Sequence, residues 1–282
     1  RDCLLSRGLG DVYKRQAFFL FYDVVEREKG VCIVLLEVKN VKKVYGRGMN
    51  TTTALNQMNL EIDENEFVAI MGESGSGKST LLNLIATFDR TTEGLIKLDG
   101  LPLNQLKNKD IARFRREMMG FVFQDFNVLN TMSNKDNILM PLVLANERPK
   151  IMQKRLTEIS EQLGIEDLLE KYPSEISVGQ RQRIAIARAL IARPKLLLAD
   201  EPTGALDSKT SKNLMCLFRK INQKHQTILM VTHSNIDASY ANRVIFIKDG
   251  RLYHEIYRGE ESQTDYQKRI ADNLAILNGV GD

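Results

Sequence analysis

The chain has 282 residues, 43% of them apolar, enough to bury the core of one large domain or two small ones. Its 40 basic and 36 acidic side chains leave a formal net charge of +4, and Lys and Arg are scattered rather than clustered with aromatics, so nothing argues for nucleic-acid binding. Three cysteines without metal-ligand spacing suit a reducing cytosol, and the longest apolar runs, near residues 17–22 and 31–36, fall far short of the roughly 20 residues of a membrane span.

Residues 1–34 lack a clear period, a helix cap or an initiator methionine, and the opening run from Arg1 to Gln16 resembles a translated sequencing adapter. They are expected to be a non-native or disordered extension. A signal peptide is disfavoured, because Asp23, Glu26, Arg27, Glu28 and Lys29 interrupt any hydrophobic segment. Regular patterning begins near Leu35, where alternation predicts a strand over 35–44, followed by strands over 51–62 and 66–71.

The third strand runs into Gly72-Glu73-Ser74-Gly75-Ser76-Gly77-Lys78-Ser79, which meets every fixed position of G-x-x-x-x-G-K-[ST], and the run from Thr80 to Ile85 reads as the first turns of a helix. Such a loop suits a phosphate chain. Glycines permit positive φ and inward N–H groups, while the helix end adds donors and a partial positive charge. Gly72, Ser74, Gly75, Ser76, Gly77, Lys78, Ser79 and Thr80 are therefore the nucleotide-binding candidates, with Lys78 expected on the β- and γ-phosphates and the Ser79 hydroxyl on Mg²⁺. A Gly/Ser-rich turn that binds nothing is the plain alternative.

Further along, residues 94–100 carry the turn residues of a short hairpin strand, Asp110 is placed to cap a helix through Met118, and 120–124 reads as a buried strand. Residues 126–190 then show helical spacing, as in Ile151, Leu156, Ile159 and Leu163, with Ser133 and Pro149 at helix starts. Strands return at 195–200, 227–231 and 244–247. The pattern predicts a helical block, about 126–190, inserted into an α/β nucleotide-binding domain spanning 35–250. Cys216, in a helix between strands, is expected to be a small buried hydrophobe. In the extension 251–282, Tyr266, Ile270, Leu274 and Leu277 fall at helical spacing, so this helix either covers its own domain or meets a partner.

Chemistry concentrates where the apolar run Leu196-Leu197-Leu198-Ala199 ends in Asp200-Glu201, delivering two acids to the edge of a core strand. Asp200 is expected to hold Mg²⁺, directly or through water, and Glu201 to orient and deprotonate an attacking water. A helix cap or turn acid would account for one of them. His233 and Gln124 each follow an apolar, β-rich run and so can face the same pocket, His233 towards the γ-phosphate and Gln124 towards metal or water.

These segments, together with Ile176-Ser177-Val178-Gly179-Gln180, the run Arg181 to Leu190 and Ala205-Leu206-Asp207, resemble the ATP-binding cassette (ABC) family over residues 35–250. The resemblance implies a P-loop NTPase with a mainly parallel core sheet, an antiparallel β subdomain and an inserted α-helical subdomain, using ATP and Mg²⁺. It also implies that Tyr45 stacks on adenine, although strand-end packing would equally occupy that side chain. Ser177, Gly179, Gln180 and Asp207 are implied to face nucleotide across a head-to-tail homodimer, with Ser177 and Gly179 reaching the γ-phosphate held by the second copy. Ile176 and Val178 depart from the family's usual Leu and Gly. A β-branched residue resists positive φ, and the change is expected to be tolerated.

Within the family, Arg113-Phe114-Arg115-Arg116, the run Gly120 to Leu129 and Asn137-Ile138-Leu139-Met140-Pro141-Leu142 resemble the branch of macrolide exporters, lipoprotein-release ATPases and antimicrobial-peptide exporters. The segments Leu82 to Asp89 and Ile247 to Tyr253 look most like bacitracin and lantibiotic resistance subunits. Such a subunit implies a separate integral-membrane permease, residues 124–144 as coupling surface, and a cytoplasmic location at the inner face of the membrane. The alternative is the ATPase of a lipoprotein-release or cell-division complex. DNA-repair ATPases would need long coiled-coil or zinc-binding insertions, and tandem translation factors a second phosphate loop.

Overall fold

The computed structural model describes residues 33–47, 50–277 and 279, so the expected N-terminal extension lies outside the described residues save for its last two positions. Strands β1 (Val34–Arg47), β2 (Asn50–Asp63) and β3 (Phe67–Met71) lead through the glycine-rich turn into helix α1 (Lys78–Ile85). After these come β4 (Glu93–Leu98), β5 (Leu101–Pro102), α2 (Asn108–Met118) and β6 (Met119–Val122). Next stand the helices α3 (Asn134–Leu144), α4 (Pro149–Leu163) and α5 (Val178–Leu190). The chain then alternates through β7 (Leu196–Asp200), α6 (Ser208–Gln223), β8 (Thr227–Val231) and the short α7 (Asn235–Ala238), and ends in β9 (Arg243–Lys248), β10 (Arg251–Tyr257) and α8 (Gln263–Leu277).

Two sheets result. A six-stranded sheet runs β10-β9-β3-β8-β7-β6, parallel from β9 to β6 and closed at one edge by the antiparallel β10. A second, four-stranded sheet runs β2-β1-β4-β5, with β4 antiparallel to both neighbours. Parallel strands are covered on both faces, which is why β3 and β8 are unbroken apolar runs buried at every position. Successive residues of β3 serve opposite layers: Phe67, Ala69 and Met71 join one core with Phe218, Phe246 and Tyr266, while Val68 and Ile70 join the other with Leu55, Leu81 and Ile245. Gln57 explains an irregularity in β2, since its φ of 54° marks a step between the buried Leu55 and Met58 before alternation resumes at Leu60 and Ile62.

This is the α/β architecture the sequence led one to expect, with helices between β6 and β7 and an antiparallel sheet beside the parallel one. Ser133 caps α3 by accepting from Asp136 N–H, and Pro149 is the first residue of α4. Three expectations need correcting. Asp110 lies inside the first turn of α2, whose N-cap is Lys107, so its charge complements the helix end without capping it. Helical structure begins at Asn134 rather than 126, because Phe126 (φ 61°) and Asn127 (φ 49°) are left-handed. Cys216 is exposed, since α6 turns Leu214, Met215, Phe218 and Ile221 inward and Cys216 falls off that face. The choice left open for α8 is also decided: Tyr266, Ile270 and Leu277 are buried in the domain's own core.

Candidate active site

Because β3 is buried to its last residue, the chain must leave the sheet between packed layers, and only glycine fits there. A Cβ on Gly72 would lie 2.2 Å from the Ile247 carbonyl oxygen, and one on Gly77, at φ 102°, would lie 2.5 Å from the Ala54 carbonyl oxygen. Gly77 is the N-cap of α1 and offers no side chain to its first-turn amides. Those donors are left for a ligand. Lys78 is only 4% exposed, and its Nζ donates to Gly72 O (2.9 Å), Glu73 O (2.6 Å) and Ser76 Oγ (3.3 Å). Burial holds the Lys78 pKa below its ordinary value, opposed by the carboxylates of Glu201 and Asp200. An ammonium held by neutral oxygens can exchange them for charged phosphate oxygens at a gain. Around it Ser74, Gly75 and Ser79 form an exposed rim, with Ser76 buried beneath.

Across the sheet's C-terminal edge, Asp200 ends β7 in register with Val231 of β8. Burial and then the neighbouring Glu201 push its pKa up, while His233 and Lys78 pull it back, so these groups share one electrostatic site. Glu201 turns the chain out of the strand at φ 44°, its N–H donating to Val231 O at 3.0 Å. Its Oε1 lies 3.0 Å from His233 Nε2, which holds the carboxylate in place. A left-handed glutamate persists only where its surroundings enforce the conformation. Two further bonds do so: Gln182 Nε2 donates to Pro202 O (2.8 Å), and Thr203 Oγ1 donates to Asp237 Oδ2 (2.6 Å), with all three side chains buried. Gln124 lies against the same turn, since a Cβ on Gly204 would stand 3.1 Å from its Nε2. The left-handed turn that follows is clamped by Arg188, whose guanidinium donates to Asn127 O (2.6 Å) and Phe126 O (3.0 Å).

Lys78, Asp200, Glu201 and His233 are thus together, with Gln124 against the adjoining turn. Tyr45 stands beside the phosphate-loop helix, 41% exposed, with its hydroxyl donating to Asp89 Oδ2 (2.9 Å) and the Lys43 ammonium 4.8 Å from its ring centroid. Burial, and then Asp89, raise its pKa, and a hydrogen bond with Thr80 lowers it. Ser177, Gly179, Gln180 and Asp207 gather elsewhere, where α5 meets α6. Ser177 caps α5 and Gln180 completes the box, Ser177 N–H donating to Gln180 Oε1 (2.9 Å) and Gln180 N–H to Ser177 Oγ (3.2 Å). Asp207 caps α6 by accepting from the N–H groups of Lys209 (3.0 Å) and Thr210 (3.1 Å). Gly179 is pressed against Thr210, whose Cγ2 would lie 2.5 Å from a Cβ. Val178 is the first helical residue of α5 and is not among the residues of positive φ, so its β-branch is accommodated.

Sequence reasoning missed Gln182, Thr203, Asp237 and Arg188 because each acts through a partner remote in the chain. The available signals were the run Arg181 to Leu190, which contains Gln182 and Arg188 without showing what they bind, and the spacing of Asp237 from the helix-capping Ser234. Among the described residues no group of three or more His, Cys, Asp or Glu could hold a metal ion. A divalent cation here would rely on Asp200, hydroxyl, amide, water and phosphate oxygens, a set suited to Mg²⁺.

The sequence matches the ABC transporter family over residues 55–204. The ABC transporter ATP-binding protein YxdL of Bacillus subtilis is 52% identical over 246 residues, covering 87% of this chain and 95% of that protein. Bacitracin export ATP-binding protein BceA of Halalkalibacterium halodurans is 43% identical over 249 residues, covering 88% and 98%. In structure, the dimeric post-hydrolysis state of the ATP-binding cassette MJ0796, bound to ADP and Pi, from Methanocaldococcus jannaschii, aligns with a TM-score of 0.72 at 39% identity, covering 79% of this chain and 98% of that one. Among the described residues no helix is long and apolar enough to cross a membrane.

Proposed function

Since the chain belongs to the ABC transporter family of ATP-binding subunits, we propose that its phosphate loop, Asp200-Glu201 edge and His233 form half of an ATP-hydrolysing site that drives a separate membrane permease. Phosphates lie over residues 72–80, where Lys78 turns from its loop oxygens to the β- and γ-phosphates. Tyr45 offers a flat face to adenine. Ser79, Asp200 and Gln124 would hold Mg²⁺, which when bound neutralises charge on the β- and γ-phosphate oxygens.

Glu201 takes a proton from the attacking water. As the water oxygen bonds to the γ-phosphorus, the bond to the β–γ bridging oxygen breaks, and ADP and phosphate leave. His233 steadies the glutamate and donates towards the γ-phosphate. A second copy completes the chamber, its Ser177 hydroxyl and Gly179 amide meeting the γ-phosphate while Gln180 and Asp207 shape the helix starts behind them. ATP closes the pair and hydrolysis reopens it, and this difference between states is what moves the permease.

Residues 124–144 form the coupling surface. Support comes from Leu129, Met132, Val143 and Leu144, large apolar side chains within this segment that are exposed. The transported class in this reading is an antimicrobial peptide, supported by similarity to the bacitracin export protein, with the subunit working in the cytoplasm at the inner face of the membrane. The observation that carries the hydrolytic reading is the placement of the loop-held Lys78, the strand-end Asp200 and the Glu201–His233 pair, 3.0 Å apart, at one edge of the sheet. Glu201→Gln should bind ATP normally and hydrolyse it roughly 10² times more slowly or worse, measured by phosphate release. Turnover near wild type would remove Glu201 from the role of base. Copurification with a permease, followed by peptide stimulation of its ATPase, tests the transport assignment.

A further inference from the structure

Helix α5 touches both nucleotide faces of one chain. Its first turn carries Ser177 and Gly179, and one turn on from Val178 stands Gln182, fully buried, with Nε2–H donating to Pro202 O at 2.8 Å. Pro202 is the residue next to Glu201. Among the described residues the other end of the same amide, Oε1, has no hydrogen-bond partner. A half-satisfied buried amide costs stability that an apolar side chain of similar shape would not, so Gln182 is poor filling and a good tether.

What it tethers is a strained turn. Glu201 sits at φ 44°, and the turn is held by Glu201 N–H on Val231 O, by Thr203 on Asp237, and by Gln182 on Pro202 O. The first two anchors belong to β8 and the start of α7, inside the chain's own nucleotide half. Only Gln182 comes from the helix whose exposed start faces a partner. Because a helix is stiff over one turn, any tilt of α5 as Ser177 seats on a neighbouring nucleotide carries the Gln182 amide with it and pulls on the carbonyl beside the base.

We propose that Gln182 is a positioning residue that ties the seating of Ser177 and Gly179 on the partner's nucleotide to the aim of Glu201 in its own chain, so that hydrolysis at each site waits for closure at the other. This rests on the two-chain reading above. The test uses Gln182→Met, which keeps length without the donor, and Gln182→Leu, which removes donor and acceptor together in a similar volume. Single-turnover hydrolysis from preformed ATP dimers is compared with the ATP concentration that half-forms the dimer and with the melting temperature.

A folded Gln182→Met should hydrolyse about tenfold more slowly or worse, with the dimer-forming ATP concentration within about twofold of wild type, since misplacement by an ångström already costs that much. Gln182→Leu should be slowed to a similar extent. A wild-type single-turnover rate in either folded variant overturns the proposal. So does a loss of turnover matched by an equal loss of dimer, which would make Gln182 mere packing. If the Met variant does not fold, the Leu variant is judged by the same criteria. Failure of Glu201→Gln alone to form ATP dimers would instead remove the two-chain reading.

Discussion

The starts of α1 and α5 are both helix N-termini, and they are finished in opposite ways. At α1 the cap is Gly77, with no side-chain hydrogen bond and with Lys78 buried behind it among loop oxygens. At α5 the cap is Ser177, closed by a reciprocal box with Gln180 and set on the surface. A bare helix end leaves its amides for a ligand held in place, whereas a capped one is complete alone and has mainly a hydroxyl to contribute. On the proposed reading, the chain carries one face that holds a triphosphate and another that touches one held elsewhere. A head-to-tail pair is the arrangement that uses both.

Changing each face separately sharpens this contrast. The largest effect is expected from Lys78→Ala, which removes the stored cation: ATP affinity by calorimetry should fall about hundredfold or more, as loss of charged hydrogen bonds implies. An unchanged affinity would erase the distinction between the faces. Ser177→Ala should be much milder, lowering stability in a thermal melt by about 1 kcal/mol through the lost cap, with ATP binding by the single chain unaltered. Weakened single-chain binding in that variant would mean that Ser177 serves its own nucleotide.

How much could be read in advance follows the same division. The phosphate loop and the acidic strand end were legible because their chemistry is contiguous: a glycine-rich turn after an apolar run, and two acids ending another. The tethers at Gln182, Thr203 and Asp237 were not, because a hydrogen bond between residues 20 or 34 apart leaves no local pattern. Cys216 misled for a related reason. Its residue type favours burial, but the helix face is fixed by Leu214, Met215, Phe218 and Ile221 together. The segment 126–133 is held out of the helix by left-handed Phe126 and Asn127, whose carbonyls Arg188 binds from far along the chain. Tertiary contacts decide such places, and propensity does not.

The central claim is that ATP on one chain completes a chamber with the capped turn of another. Sizing Glu201→Gln with and without ATP and Mg²⁺, beside the same variant carrying Ser177→Arg, tests it most directly. The account predicts an ATP-dependent dimer for the first protein and an ATP-loaded monomer for the second, because a long cationic side chain blocks the seat while the phosphate loop is untouched. An ATP-dependent dimer of equal strength from both proteins would contradict it.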